Sequence, residues 1–194
     1  MQSILLIWLS TLVFAVIHSL LATRRCKQWA ASSGWDEPRY RRLYTIVSLL
    51  LTAIWLFCIH ALPDLQLFRA EGVLFYMLVM LQITGAIIIF AAFRPIDTMA
   101  FLGFRRSAHD VDPFVISGIY RYMRHPMYSG VILMLLASPF QSINSLSMTL
   151  AVALYFLIGS RLEERRMLEH HPEYAAYRRS VPAFLPHFRS CRRR

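Results

Sequence analysis

Residues 118–130, GIYRYMRHPMYSG, place two arginines, one histidine and three tyrosines at the edge of an apolar run. Further on, RLEERRM sets Glu163 and Glu164 next to one another, with Arg161 just ahead of them. Each stretch offers a distinct chemistry. Pro126 suits the first position of a helix, where its missing N–H would have had no partner. His125 precedes a proline, is biased out of the α region, and so falls at the cap. A helix N-terminus flanked by Arg124 and His125 is a potential anion site. Gly130 would let another group approach the backbone of the first turn. Glu163 and Glu164 could receive an ammonium or the hydroxyls of a ribose. Together the two stretches would recognise a small zwitterion, with neighbouring tyrosines supplying flat faces for a purine or a sulfonium.

A plainer reading exists for each part. Arginines and tyrosines at a membrane boundary commonly serve as interfacial anchors. An EERR run is commonly a solvated helix face. What separates the readings is whether the two stretches meet, and the elements between them decide that.

The chain has 194 residues, 57% of them hydrophobic and only 16% charged, with a mean hydropathy of +0.45. Such a composition belongs to an all-α, polytopic membrane bundle rather than to an ordinary soluble domain. Three uncharged windows, residues 4–22, 44–62 and 72–93, match the roughly 20 residues needed to cross a hydrocarbon core. A fourth, 126–160, runs for 35 residues without a charge. As one helix it would measure roughly 52 Å, well beyond a core of about 30 Å. It must therefore fold back, and SPFQSINS at 138–145 is the turn-like break within it. The expectation is about five membrane segments, the fourth of them short. The fold-back returns Arg124 and Arg161 to one side and lays the two polar stretches together.

The net charge of +10 is distributed by location. All but one of the 21 basic residues, Arg69 being the exception, fall on alternate connections between the apolar segments. That is the positive-inside pattern, with the N-terminus outside and the C-terminus cytoplasmic. The charge thus orients the chain and touches anionic lipid; it does not call for nucleic acid. The first segment lacks a basic flank ahead of it, unlike a cleavable signal peptide. Three cysteines without CxxC spacing, two of them on the cytoplasmic side, predict no disulfide. His170 and His171 have no acidic or cysteine partners at ligand spacing, so no metal site is expected. The chain reads as one domain, 1–194. Three spans fill 1–93; a cofactor-binding loop, the helical hairpin and a closing segment fill 94–194.

At these residues the chain resembles a known family. SGIYRYMRHPMYSG followed by RLEERRMLEHHPEYAAYRRSVPAFLP is similar to the C-terminal signature of the isoprenylcysteine carboxyl methyltransferases. Phospholipid N-methyltransferases share its Arg-His-Pro-x-Tyr-x-Gly core. The resemblance covers roughly residues 112–186. It implies an integral membrane enzyme that uses S-adenosylmethionine, with the C-terminal stretch closing over the cofactor at the cytoplasmic face. By position it implies that Tyr120, His125, Pro126, Met127 and Tyr128 line the cofactor site. Residues 112–115 fall where the family meets the adenosyl group. A cofactor-contacting glutamate falls on Glu163 or Glu164. Arg161 lies near the place of an arginine used for the methyl acceptor, with Arg124 as its companion. Tyr174, Tyr177 and Pro182 match the closing segment.

The N-terminal half is different. FAVIHSLLATRRCKQW and YRRLYTIVSLL resemble the NnrU-type membrane proteins and methanethiol S-methyltransferases of bacteria, which implies a bacterial inner membrane. A prenylated carboxylate, a small thiol and a lipid headgroup all stand as acceptors. Methyl transfer from a sulfonium needs positioning more than covalent help. A carboxylate needs only Arg124 or Arg161 to hold it, and a thiol needs a nearby cation to favour the thiolate. A lipid amine would need a base, so O- or S-methylation is favoured. His18 lies inside the first span and is a candidate for the acceptor pocket. Its rival role, clamping a haem with His60, is opposed by a difference in depth of roughly 15 Å. A non-catalytic accessory protein is the third class.

Overall fold

The computed structural model describes residues 2–106 and 114–186. Four helices in it are long and apolar enough to cross a membrane: α1 (Gln2–Leu21), α3 (Glu37–Ala61), α4 (Gly72–Phe93) and α7 (Ile143–His170). Between them lie α2 (Arg24–Ser32), α5 (Thr98–Phe101) and the short apolar α6 (Pro126–Leu136), with α8 (Tyr174–Ser180) after α7. Two strands of three or four residues, β1 (Gln66–Arg69) and β2 (Phe140–Ser142), and a 3₁₀ turn at Gly118–Arg121 complete the described elements. The chain is a polytopic helical membrane protein. Its long helices leave large apolar side chains uncovered on many sides, among them Phe57 at 75% and Val73 at 76% exposure. In water such surface would be a liability; against lipid chains it is what a spanning helix presents.

The ends of these helices follow local chemistry more than hydropathy. α3 begins seven residues ahead of its apolar window. Asp36 caps it by accepting the Arg39 N–H at 2.9 Å, and Pro38 sits in the first turn. α7 runs ten residues past the last uncharged position, because no glycine or proline interrupts residues 161–170 and Pro172 is the first breaker. The 35-residue uncharged run does fold back: α6 ends at Leu136 and α7 starts at Ile143, with β2 in the connection. At 11 residues α6 is about 17 Å long, short of a full crossing.

The chain divides into two compact units that interleave along the sequence. The first holds described residues 2–67, 97–106 and 142–151; the second holds 68–96, 114–141 and 152–186. In the first, α1, α2 and α3 pack together, and Tyr40 Oη donates to Leu21 O at 2.6 Å. Gly103 adopts φ +81° there, and a Cβ on it would stand 2.5 Å from Arg42 N. Gly103→Ala therefore meets both backbone strain and a clash with a fixed backbone atom. We expect a loss of about 1–3 kcal/mol, read as a lower thermal midpoint in detergent.

In the second unit α4 packs on α6 through two facing glycines. A Cβ on Gly85 would lie 2.7 Å from Gly130 O, and one on Gly130 would lie 2.7 Å from Gly85 O. The group that approaches the backbone at Gly130 is thus a neighbouring helix, α4 at Gly85. Small residues at such a crossing let two apolar helices approach closely where no hydrophobic force separates helix from lipid.

Candidate functional site

The second unit gathers most of the predicted residues into one cluster. His125 caps α6, with Pro126 at its first turn and fully buried. The His125 ring does not bond the helix N–H groups. It turns toward α7 instead, where Nε2 lies 3.0 Å from Glu164 Oε1. Arg124 donates to the same oxygen from Nε at 2.8 Å, and Arg178 on α8 reaches Glu164 Oε2 from Nε at 3.0 Å. Arg124 also donates from Nη1 to Arg178 O at 3.0 Å and to Val181 O. Glu164 is therefore a buried carboxylate held by two guanidinium groups and an imidazole. An ionised carboxylate only accepts, so Nε2 of His125 carries the proton.

This arrangement overturns one sequence expectation. Arg124 and the His-Pro cap were to form an anion site open to a ligand carboxylate. The protein fills that place with its own Glu164, and the donors of Arg124 that the structure accounts for point inward. Two backbone bonds reinforce the closure: Arg124 N–H donates to Pro182 O, and His125 N–H to Ala183 O, both at 2.9 Å. Ser129 Oγ donates to Phe184 O at 2.7 Å, and the Phe184 ring lies 5.6 Å from His125. Residues 181–184 thus lie along the start of α6 as a strap.

Glu163 differs from its neighbour. It is half-exposed, and its Oε2 accepts Tyr128 Oη at 3.2 Å and faces His125 Nδ1 at 3.7 Å. Its other oxygen, Oε1, has no hydrogen-bond partner among the described residues. Beside it runs an aromatic column. Tyr128 stacks on His125 with centroids 5.4 Å apart and planes 7° apart, and on Phe156 of α7 at 4.4 Å and 15°. Phe156, Glu163 and Glu164 share a face because their spacings, seven and eight, are two helical turns.

Around the strap, Phe114, Tyr174 and Tyr177 pack edge to face with centroids 5.3–5.6 Å apart. Tyr177 Oη donates to the carbonyl of Tyr120 at 2.6 Å. Burial pushes the Tyr120 phenol up to about 12, with Glu163 adding to the shift. Burial likewise raises Tyr174 to about 12, helped by Glu164 and opposed by Arg124. Both phenols ionise at lower pH when unfolded, near 10.0. Their contribution to stability is therefore complete below about pH 10 and lost as pH rises through about 12. Alkaline titration followed by tyrosinate absorbance and circular dichroism should show ionisation and loss of structure together in that window.

Two predicted residues stand apart. Arg161, on α7, is exposed, and among the described residues no ion pair or hydrogen bond links it to the cluster. His18 belongs to the first unit. There its Nε2 lies 2.9 Å from Tyr44 Oη, and its ring stacks on Phe14 at 5.5 Å. Met127 is half-buried on the first turn of α6. Of the expected adenosyl segment, Asp112 and Pro113 lie outside the described residues. Sequence reasoning missed Arg178, Phe156, Ser129 and Phe184. The helical spacing of Phe156 from Glu163 was a usable signal, whereas nothing local marks Arg178 as a partner of Glu164.

Comparison with known proteins adds to this geometry. Methanethiol S-methyltransferase 2 of Bradyrhizobium diazoefficiens is 28% identical to the chain over 203 residues, covering 99% of it and 76% of the relative. The methanethiol S-methyltransferase of Pseudomonas deceptionensis is 29% identical over 190 residues, 91% of this chain and 70% of that protein. That of Mycobacterium tuberculosis is 26% identical over 185 residues, 90% and 74% respectively. No solved structure matches the chain. The family model described as NnrU protein matches residues 6–179, a stretch that takes in His18, the His-Pro cap and both glutamates, and the chain belongs to the NnrU family.

Proposed function

We propose that this protein is a membrane-embedded methyltransferase, one domain over residues 1–194, which moves a methyl group from S-adenosylmethionine to a small thiol. The observation that carries the reading is the meeting of the His-Pro cap, Tyr128 and Glu163 in one cluster. Relatives named methanethiol S-methyltransferase supply the acceptor class. The residues suit such a donor. Glu163 has one carboxylate oxygen without a hydrogen-bond partner among the described residues, half-exposed, beside stacked aromatic rings. An unpaired carboxylate oxygen fits an ammonium or a ribose hydroxyl, and aromatic faces fit a purine or a sulfonium.

In this reading Glu163 is the cofactor-contacting carboxylate, and Tyr120, His125, Pro126, Met127 and Tyr128 line the site. Glu164 holds the wall in place, since its oxygens are taken by Arg124, His125 and Arg178. The donor, when bound, supplies an electrophilic methyl on a sulfonium. The chain's residues orient it, exclude water and manage the acceptor's proton. Arg124 supports the strap, which leaves exposed Arg161 as the cation available to an acceptor. In this reading the cluster faces the cytoplasm, as the positive-inside charge pattern supports, with lipids around the apolar helices.

Arg161→Ala should lower turnover about tenfold, roughly 1.4 kcal/mol of transition-state stabilisation, while cofactor binding stays intact. Unchanged turnover would remove Arg161 from the acceptor's surroundings. The reading as a whole is tested by supplying membranes that contain the protein with labelled methyl donor. Methanethiol, a prenylcysteine and phosphatidylethanolamine are offered in parallel. Label should pass to the thiol; transfer to phosphatidylethanolamine instead would make the protein a lipid N-methyltransferase.

A further inference from the structure

We propose that His125 is the base that removes the thiol proton, oriented for the task by Glu164; this rests on the S-methyl transfer reading above. A small alkyl thiol is mostly protonated at neutral pH, and only its thiolate is a good nucleophile. Of the two cations expected near the thiol, Arg124 is committed to Glu164 and to the carbonyls of Arg178 and Val181, and Arg161, always protonated, can hold a thiolate but cannot take the proton from the thiol. A base is therefore the missing part.

His125 has the required construction. A buried carboxylate takes its Nε2–H at 3.0 Å, which fixes the tautomer and leaves the lone pair on Nδ1. A base hydrogen-bonded to an orienting carboxylate is the arrangement by which imidazole serves in nucleophilic catalysis. Nδ1 makes no hydrogen bond among the described residues, and the nearest acidic oxygen is Glu163 Oε2 at 3.7 Å. That separation is too long for a hydrogen bond, but it puts a carboxylate beside the atom that would gain the proton. The half-exposed side of Glu163 gives access, whereas His125 itself is 6% exposed. The ionisable groups around the ring are Glu163 and Glu164 from α7, Arg124 beside it, Tyr128 from α6, and Arg178 and Tyr174 from α8 by way of Glu164. Phe184 of the strap adds an uncharged face.

The step balances. The S–H bond breaks, its proton goes to His125 Nδ1 and is shared with Glu163 Oε2, and its electron pair stays on sulfur. That pair forms the new S–CH₃ bond as the sulfonium takes back its C–S pair and leaves as a neutral thioether.

The test compares an alkyl thiol with an aromatic thiol already ionised at the assay pH. In the wild-type protein, the alkyl thiol rate should level off well below the pH at which that thiol itself ionises. Without a base, it would climb tenfold per pH unit up to that point, and such a climb would overturn the proposal. His125→Asn and His125→Gln keep a donor for Glu164 but lose the base. Each should raise the ratio of aromatic to alkyl thiol turnover about 10²-fold. Because His125 also lines the donor site, the ratio is taken at saturating S-adenosylmethionine, where weaker donor binding affects both thiols alike. A ratio unchanged in a variant that binds the donor would make His125 a wall residue only. Wild-type protein that methylates neither thiol would instead sink the S-methyl reading.

Discussion

Replacing Glu164 by alanine should be among the most damaging single changes in this chain, lowering the thermal midpoint and abolishing cofactor binding together. The side chain is 9% exposed and holds Arg124, His125 and Arg178 at once. Arg124 and His125 are themselves 11% and 5% exposed at the side chain, so removing their shared acceptor strands buried donors. Breaking a buried ion pair from one side costs about 3–5 kcal/mol. The loss should be local as well as global. The strap at 181–184 hangs on Arg124, so limited proteolysis should cut the C-terminal region of the variant first. Arg178→Ala is the control. Its side chain is 51% exposed, and such a pair contributes about 1 kcal/mol or less. A thermal midpoint for Glu164→Ala equal to that of Arg178→Ala would mean the EERR run is a solvated helix face after all.

Glu163→Gln should have the opposite profile, with the fold intact and the donor site impaired. The residue is half-exposed and, among the described residues, hydrogen-bonds Tyr128, whose hydroxyl an amide oxygen can still accept. Its stability should stay within about 0.5 kcal/mol of the wild type. A hydrogen bond to a charged partner contributes about 1.5–3 kcal/mol, so donor affinity should fall about 10- to 100-fold. Adjacent glutamates of the same type would then separate cleanly, one by melting and the other by binding. If both variants lost stability alike, or if donor affinity survived Glu163→Gln, the division of labour would be wrong.

That division was not legible in the sequence. Two neighbouring glutamates on a helix carry the same local signal. Which of them turns inward depends on the α6 and α8 side chains packed against α7, and Arg178 lies far along the chain from Arg124. The coarser features were legible because each had a local physical cause. A 35-residue uncharged run cannot remain one helix in a bilayer, so the fold-back and the meeting of the two polar stretches followed from length alone. Pro126 announced the start of α6. Gly130 was visible as a close approach, but the partner, Gly85, sits on another helix and no local pattern names it. The anion site at the His-Pro cap failed for a related reason. Charge near a helix N-terminus is visible in the sequence, whereas a carboxylate arriving from 39 residues away to neutralise it is not. Helix ends moved where capping outweighed hydropathy, as at Asp36.

The most direct measurement is the binding of labelled S-adenosylmethionine to the purified protein, in parallel with a thermal melt that certifies the fold. The account predicts saturable binding, one donor per chain, weakened about 10- to 100-fold by Glu163→Gln while the melt is unchanged. A folded wild-type protein that binds no donor would contradict it.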